Sequence, residues 1–152
     1  MGSTRRFIPE TIRGSATAEG LISTQSGEFR YTIKLAECDR IRCLLDAFEI
    51  RPSKGERFLI QPWRLQKMLM YLEGGLVITE KGGDEKRAVL RSATPKMMGT
   101  KIAFFEIVVD PGAGITVGQV TYDRVTGERG KAPAAMPRDT LERLASDLTG
   151  LL

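Results

Sequence analysis

The 152-residue sequence predicts an α+β protein: two tandem ββββα units with antiparallel sheets and one helix each, related by a pseudo-twofold. Three observations carry this expectation. Period-two runs of apolar residues mark strands, two helix-period stripes each follow a proline, and Pro62 and Pro137 lie half the chain apart. Residues 1–14 then form a basic N-terminal arm, 15–75 the first unit and 76–152 the second, together one compact domain.

The first unit opens with the small, β-tolerant stretch from Ser15 to Thr24, read as a strand. The next is the clearest strand in the chain. Phe29, Tyr31, Ile33 and Leu35 alternate with Arg30, Thr32 and Lys34, so an apolar row lies on one sheet face and a basic-polar row on the other. Ile41, Cys43, Leu45 and Ala47 continue the alternation, with Arg40 and Arg42 opposite, up to the turn-forming Arg51-Pro52-Ser53-Lys54-Gly55. Arg57 to Ile60 is a short strand feeding a helix over 61–73. Pro62 fits a first helical position because it needs no backbone partner there, Leu65, Met68, Leu69 and Leu72 follow at helical spacing, and Gly74-Gly75 ends the helix.

The second unit repeats the order. Strands are expected over Gly75–Glu80, Lys86–Ala93, Lys101–Asp110 and Ile115–Arg124, separated by Gly82-Gly83-Asp84, Thr94-Pro95 and Asp110-Pro111-Gly112. The basic turn from Gly127 to Lys131 stands where Lys54 to Arg57 stands in the first unit. A helix opening at Pro137 carries Leu141, Leu144, Leu148 and Leu151 on one stripe, with Asp139 near its positive end. Overlaying the halves pairs Phe29 with Phe104, Ile33 with Val108, Leu45 with Val120, Leu69 with Leu144, and the two prolines with each other.

Composition narrows the chemistry. The chain has no histidine, which removes histidine-based acid-base catalysis, catalytic triads and nearly every mixed zinc site. Cys38 and Cys43 are too few for a disulfide framework; read on one strand they point to opposite faces, as reduced thiols of an intracellular protein. No apolar run approaches the roughly 18 residues of a membrane span, and the opening residues lack the apolar core of a secretion signal. Walker and Rossmann glycine patterns are missing, and the carboxylates lack the spacing of a two-metal nuclease. The expectation is a protein that is not an enzyme and uses no cofactor or metal. Lys and Arg total 23 against 19 Asp and Glu, a net +4 with both halves mixed in sign, so any anionic partner must meet a patterned face.

A basic glycine-containing turn, a short apolar strand, a proline-started helix and spaced leucines occur twice. They are Lys54-Gly55-Glu56-Arg57, Phe58 to Ile60, Pro62 and Leu65/Leu69, and again Gly127 to Lys131, Pro137 and Leu141/Leu144. This arrangement resembles the group of single-stranded nucleic-acid-binding proteins that includes the Whirly proteins, Pur-alpha and positive cofactor four. The resemblance implies paired units of four antiparallel strands and one helix, a single-stranded DNA or RNA partner, and assembly of two copies of the unit within a chain or between chains.

The residues support the same partner on physical grounds. A sheet with helices on one face leaves the other open. Single strands bind such faces when cations hold phosphates and unstacked bases lie on aromatic or guanidinium planes. The candidate nucleic-acid-binding residues are Arg30, Lys34, Arg40, Arg42, Arg51, Lys54, Arg57, Arg87, Arg91, Lys101 and Arg124, with Phe105 and Tyr122 as stacking platforms. Tyr31 and Phe48 compete for that role, but the parity of Tyr31 with Phe29 and Ile33 favours the core. Trp63 reads as a packing or subunit-contact residue, and the leucine stripes or sheet edges would serve a homo-oligomer. The alternative function is a structural or adaptor subunit of a viral or ribonucleoprotein assembly, in which the same surfaces meet protein.

Overall fold

The computed structural model describes residues 20–26, 28–53, 61–72, 74–81 and 87–150. The expected arm 1–14, the strand Arg57–Ile60, the turn Gly82-Gly83-Asp84 and Leu151 lie outside the described residues. Within them the strands are β1 (Gly20–Ser26), β2 (Phe29–Cys38), β3 (Arg42–Pro52), β4 (Leu76–Lys81), β5 (Ala88–Ser92), β6 (Lys96–Met98), β7 (Lys101–Asp110), β8 (Gly114–Asp123), β9 (Arg129–Ala132) and β10 (Ala134–Pro137). The helices are α1 (Pro62–Met68) and α2 (Arg138–Gly150). The protein is α+β, with antiparallel pairing throughout one sheet in the order β1-β2-β3-β8-β7-β5-β4. β6 lies along β7, β9 along β8 and β10 along β3.

The alternation of β2 is realised as read: Tyr31, Ile33 and Leu35 are buried while Arg30 and Lys34 are exposed. β3 departs from its expected pattern. Ile41 is exposed in the hairpin, and a register shift opposite Leu35 passes the inward positions from Cys43 and Leu45 to Phe48 and Ile50, leaving Ala47 on the other face. Such a bulge inserts one residue and flips the parity beyond it.

Cys38 and Cys43 are not reduced thiols on one strand. Asp39 turns the chain, so the two cysteines face each other across the β2–β3 hairpin, Cα atoms 4.0 Å apart, joined by a disulfide. The Asp39 carboxylate accepts the backbone N–H of Ile41 and of Arg42, both at 2.8 Å, which fixes that turn and holds its pKa below the usual carboxylate range. The same device recurs. Asp110 accepts from Gly112 at the β7–β8 turn, and Asp123 accepts from Val125 and Thr126 at the β8–β9 turn, where these bonds again depress the carboxyl.

Both helices cover one face. Leu65 and Leu69 from α1 and its exit, and Leu141, Leu144 and Leu148 from α2, are fully buried in one cluster with Tyr31, Phe48, Phe105 and Ile107. Each such side chain contributes about 1.5–3 kcal/mol of apolar burial. The Tyr71 hydroxyl donates to the Asp147 carboxylate at 2.8 Å and the Arg143 guanidinium lies 3.9 Å from the Tyr71 ring centroid, tying the exit of α1 to α2. Burial first, then that bond to Asp147, pushes the Tyr71 phenol far above its ordinary pKa.

α1 is shorter than expected, ending at Met68, after which Leu69 to Leu72 continue as turns. Pro62 sits inside its first turn as read, whereas Pro137 is the last residue of β10 and α2 begins at Arg138. β6, β9 and β10 were not foreseen; the basic turn expected at Gly127–Lys131 extends as β9. The half-chain overlay aligns helix positions, since Leu69 and Leu144 are both buried. It fails for strand faces: Ile33 and Leu45 are in the core, but Val108 and Val120 line the helix-free face.

Gly114 shows why β8 can start where it does. Its φ of 112° is a left-handed value, and a Cβ there would collide with the Ile50 carbonyl oxygen of β3. Glycine thus lets β8 enter close against β3 and set the register that builds the open face.

Candidate nucleic-acid interface

Strand register places specific side chains in rows across the helix-free face. One row runs Val89, Val108, Thr116, Glu49, Thr32 and Ser23 from one side of the sheet to the other. Beside it, Arg91 stands opposite Glu106. Two further short rows pair Phe104 with Val120 and Lys131, and Met97 with Ile102, Tyr122 and Arg129. The result is an apolar and aromatic strip bordered by guanidinium groups.

Within that strip a groove of about 330 Å³ is lined by Arg91, Ile102, Phe104, Val120, Tyr122 and Arg129. Tyr122 is 47% exposed, and the Arg91 guanidinium lies 5.8 Å from the Phe104 ring centroid, within cation–π range. A second hollow of about 370 Å³ adjoins it, sharing Val120 and Arg129.

Two glutamates organise the cations. Glu106, buried, accepts from Arg91 Nε at 2.8 Å and from Arg129 Nη2 at 3.1 Å. Glu49 sits between Lys34 Nζ at 3.8 Å and Arg51 Nε at 3.4 Å. Each carboxylate is shared by two cations, so each cluster retains one net positive charge. The partly exposed pairs are worth little to stability, about 0–1 kcal/mol.

The sequence-expected residues divide into groups. Arg30, Lys34, Arg51, Arg91 and Tyr122 share the open face, and Arg87 lies just before β5. Arg40 and Arg42 sit at the β2–β3 hairpin, remote in register from the groove. Lys101 opens β7 and is exposed, but shares the parity of Ala103 and Phe105. Arg124 donates to the carbonyls of Gly99 and Thr100, so it braces a loop. Lys54 and Arg57 lie outside the described residues. Phe105 is corrected: it is 1% exposed in the core and cannot stack on a ligand, as are Tyr31 and Phe48 at 2% and 0%.

Phe104, Glu106, Arg129 and Lys131 were missed. A signal existed for Phe104. In Lys101–Asp110 the lone internal charge is Glu106, and its parity marks Phe104 as outward and Phe105 as inward. Arg129 and Lys131 carried no such signal, because β9 has no apolar alternation of its own.

Among the described residues, no three Cys, Asp or Glu side chains gather as a metal-binding group, and no helix is long and apolar enough to cross a membrane. No protein-family model, no curated protein and no solved structure matches the chain.

Proposed function

We propose that the chain is a non-catalytic binder of single-stranded DNA or RNA that uses the helix-free sheet face. The observation that carries this reading is the groove in which Phe104 and Tyr122 are flanked by Arg91 and Arg129. Aromatic planes beside cations suit an unstacked strand, whose bases stack for about 1–3 kcal/mol each while its phosphates release counterions. On this reading the fold is two tandem ββββα units. The described residues supply three strands of the first unit, β1 to β3 with α1, and four of the second, β4, β5, β7 and β8 with α2, as two antiparallel meanders joined edge to edge through β3 and β8; the proposed kinship with the Whirly and Pur-alpha group needs Arg57–Ile60 as the fourth strand of the first.

The test is fluorescence anisotropy of labelled single-stranded oligonucleotides against salt. Micromolar or tighter binding that weakens steeply with salt supports the proposal, and no binding at low salt rejects it. The assembly-subunit reading has one observation in its favour: Trp63 and Met70 are 57% and 67% exposed around α1. Light scattering distinguishes it, since an oligomer that forms without oligonucleotide and dissociates in W63A would favour protein assembly.

A further inference from the structure

We infer that the hollow where β3 and β8 separate is a subsite for one guanine base, an inference that rests on the single-strand reading above for the chain that delivers the base. β8 pairs with β3 only from Ile115 to Val117. Beyond Gly118 it pairs instead with β9, while the freed stretch of β3 pairs with β10. At the point of divergence the backbones stay close, for a Cβ on Gly118 would lie 3.3 Å from the Asp46 carbonyl oxygen. Past it, the sheet opens into a cavity of about 370 Å³ with Val108 and Val120 as apolar walls and Asp46, Arg129 and Lys131 in its lining.

The volume sits near the lower end of small-ligand sites, about 300–1,000 Å³, which suits a nucleoside-sized occupant rather than a length of polymer. Its position suits a strand, because Val120 and Arg129 line both this cavity and the Phe104–Tyr122 groove. A base leaving the aromatic strip would meet the hollow next.

The lining selects the base. Asp46 is exposed, and its carboxylate makes no hydrogen bond or ion pair among the described residues. Glu106, which also lines the cavity, is already held by Arg91 and Arg129. An ionised carboxylate only accepts hydrogen bonds, and its two oxygens match two parallel donors. Guanine alone among the common bases presents two adjacent N–H donors, N1–H and N2–H2, on its pairing edge. Adenine and cytosine set an acceptor nitrogen beside the amino group, and thymine sets one N–H between two carbonyls, so each opposes a lone pair to the carboxylate. Arg129 and Lys131 supply donors for the guanine O6 and N7 or for its phosphate.

The experiment measures anisotropy with three oligonucleotides of equal length: all-thymine, one central guanine, and one central hypoxanthine, which lacks the N2 amino group. Guanosine monophosphate is titrated separately. The wild-type protein should bind the guanine strand at least about fivefold more tightly than all-thymine, with most of that gain lost for hypoxanthine. In D46A the ratio of guanine to thymine affinity should fall to within about twofold of one. Equal affinities in the wild type, or a guanine advantage that survives in D46A, overturn the inference and leave the single-strand reading standing. If no strand binds but guanosine monophosphate does, the single-strand reading falls while the cavity stands as a mononucleotide site. If neither binds, both fall.

Discussion

The Glu106 carboxylate accepts the Nε–H of Arg91 at 2.8 Å, from the residue that strand pairing sets directly opposite it on β5. Arg129, arriving on β9 from the other side of β7 and β8, shares the same carboxylate at 3.1 Å. One buried acid thus gathers cations from two strands at the edge of an aromatic groove.

If the groove holds a strand, that acid competes with phosphate for both guanidinium groups. E106Q keeps the shape and removes the charge. Its expected outcome is tighter binding with a steeper salt dependence, alongside a stability loss of about 1 kcal/mol. Anisotropy and urea unfolding measure the two, and weaker binding in a folded E106Q would contradict a phosphate role for these arginines.

Adjacent phenylalanines should behave oppositely. F105A removes a core ring and should cost about 3–5 kcal/mol of unfolding free energy. F104A should leave stability within about 1 kcal/mol, because its ring lies on the open face, yet lose about 1–3 kcal/mol of oligonucleotide binding. Equal stability losses in the two variants would refute the assigned faces.

The salt dependence reports how many cations engage. Contacts from Arg30, Lys34, Arg51, Arg91 and Arg129 would give a slope of log affinity against log salt near −3 to −4, at about 0.7 per phosphate on a single strand. R91A should lower its magnitude by about 0.7. R124A should leave it unchanged, since that guanidinium bonds the Gly99 and Thr100 carbonyls.

The Cys38–Cys43 disulfide closes a short loop over a sequence separation of 5. Removing it in C38S/C43S should reduce stability by about 2 kcal/mol, mainly by freeing the unfolded chain. Thermal melts with and without reductant test this. A melting temperature indifferent to reductant, with both thiols open to alkylation in the untreated protein, would show that the bond does not form.

Asp39 and Asp123 both have carboxyls depressed by backbone donors in their turns. A depressed folded pKa means stability that is fully present above the unfolded value of about 3.9 and is lost as pH falls through the lower folded value. Acid unfolding of D39A/D123A should therefore show a shallower pH dependence below about pH 4 than the wild type. Identical profiles would remove these turns from the acid sensitivity of the fold.

Much of the architecture was legible locally. Parity from Phe29 to Leu35 named the inward face of β2, and proline followed by spaced leucines located both helices. The candidate site was legible only in part: alternation put Arg30, Lys34 and Arg91 on the shared face, Arg51 and Tyr122 were candidates by residue type, Arg40, Arg42 and Lys101 lie elsewhere, and Phe105 stood in for Phe104. Where parity ran unbroken the reading held, and where the bulge near Asp46 shifted it, as at Ala47, the reading slipped by one residue.

By itself the sequence determined the α+β class, the inward row of β2, the leucine faces of the helices and, by lacking histidine, a restricted chemistry. These follow from side-chain period and residue type, which act over a few neighbours. Tertiary structure alone decided that Cys38 meets Cys43, that Arg91 and Arg129 converge on Glu106, and that β8 leaves β3 at Gly118 to open a cavity. The cysteine pairing depends on the Asp39 turn that folds β3 back on β2, and the other two on how strands distant in sequence align, which bulges, turns and burial set over the whole sheet.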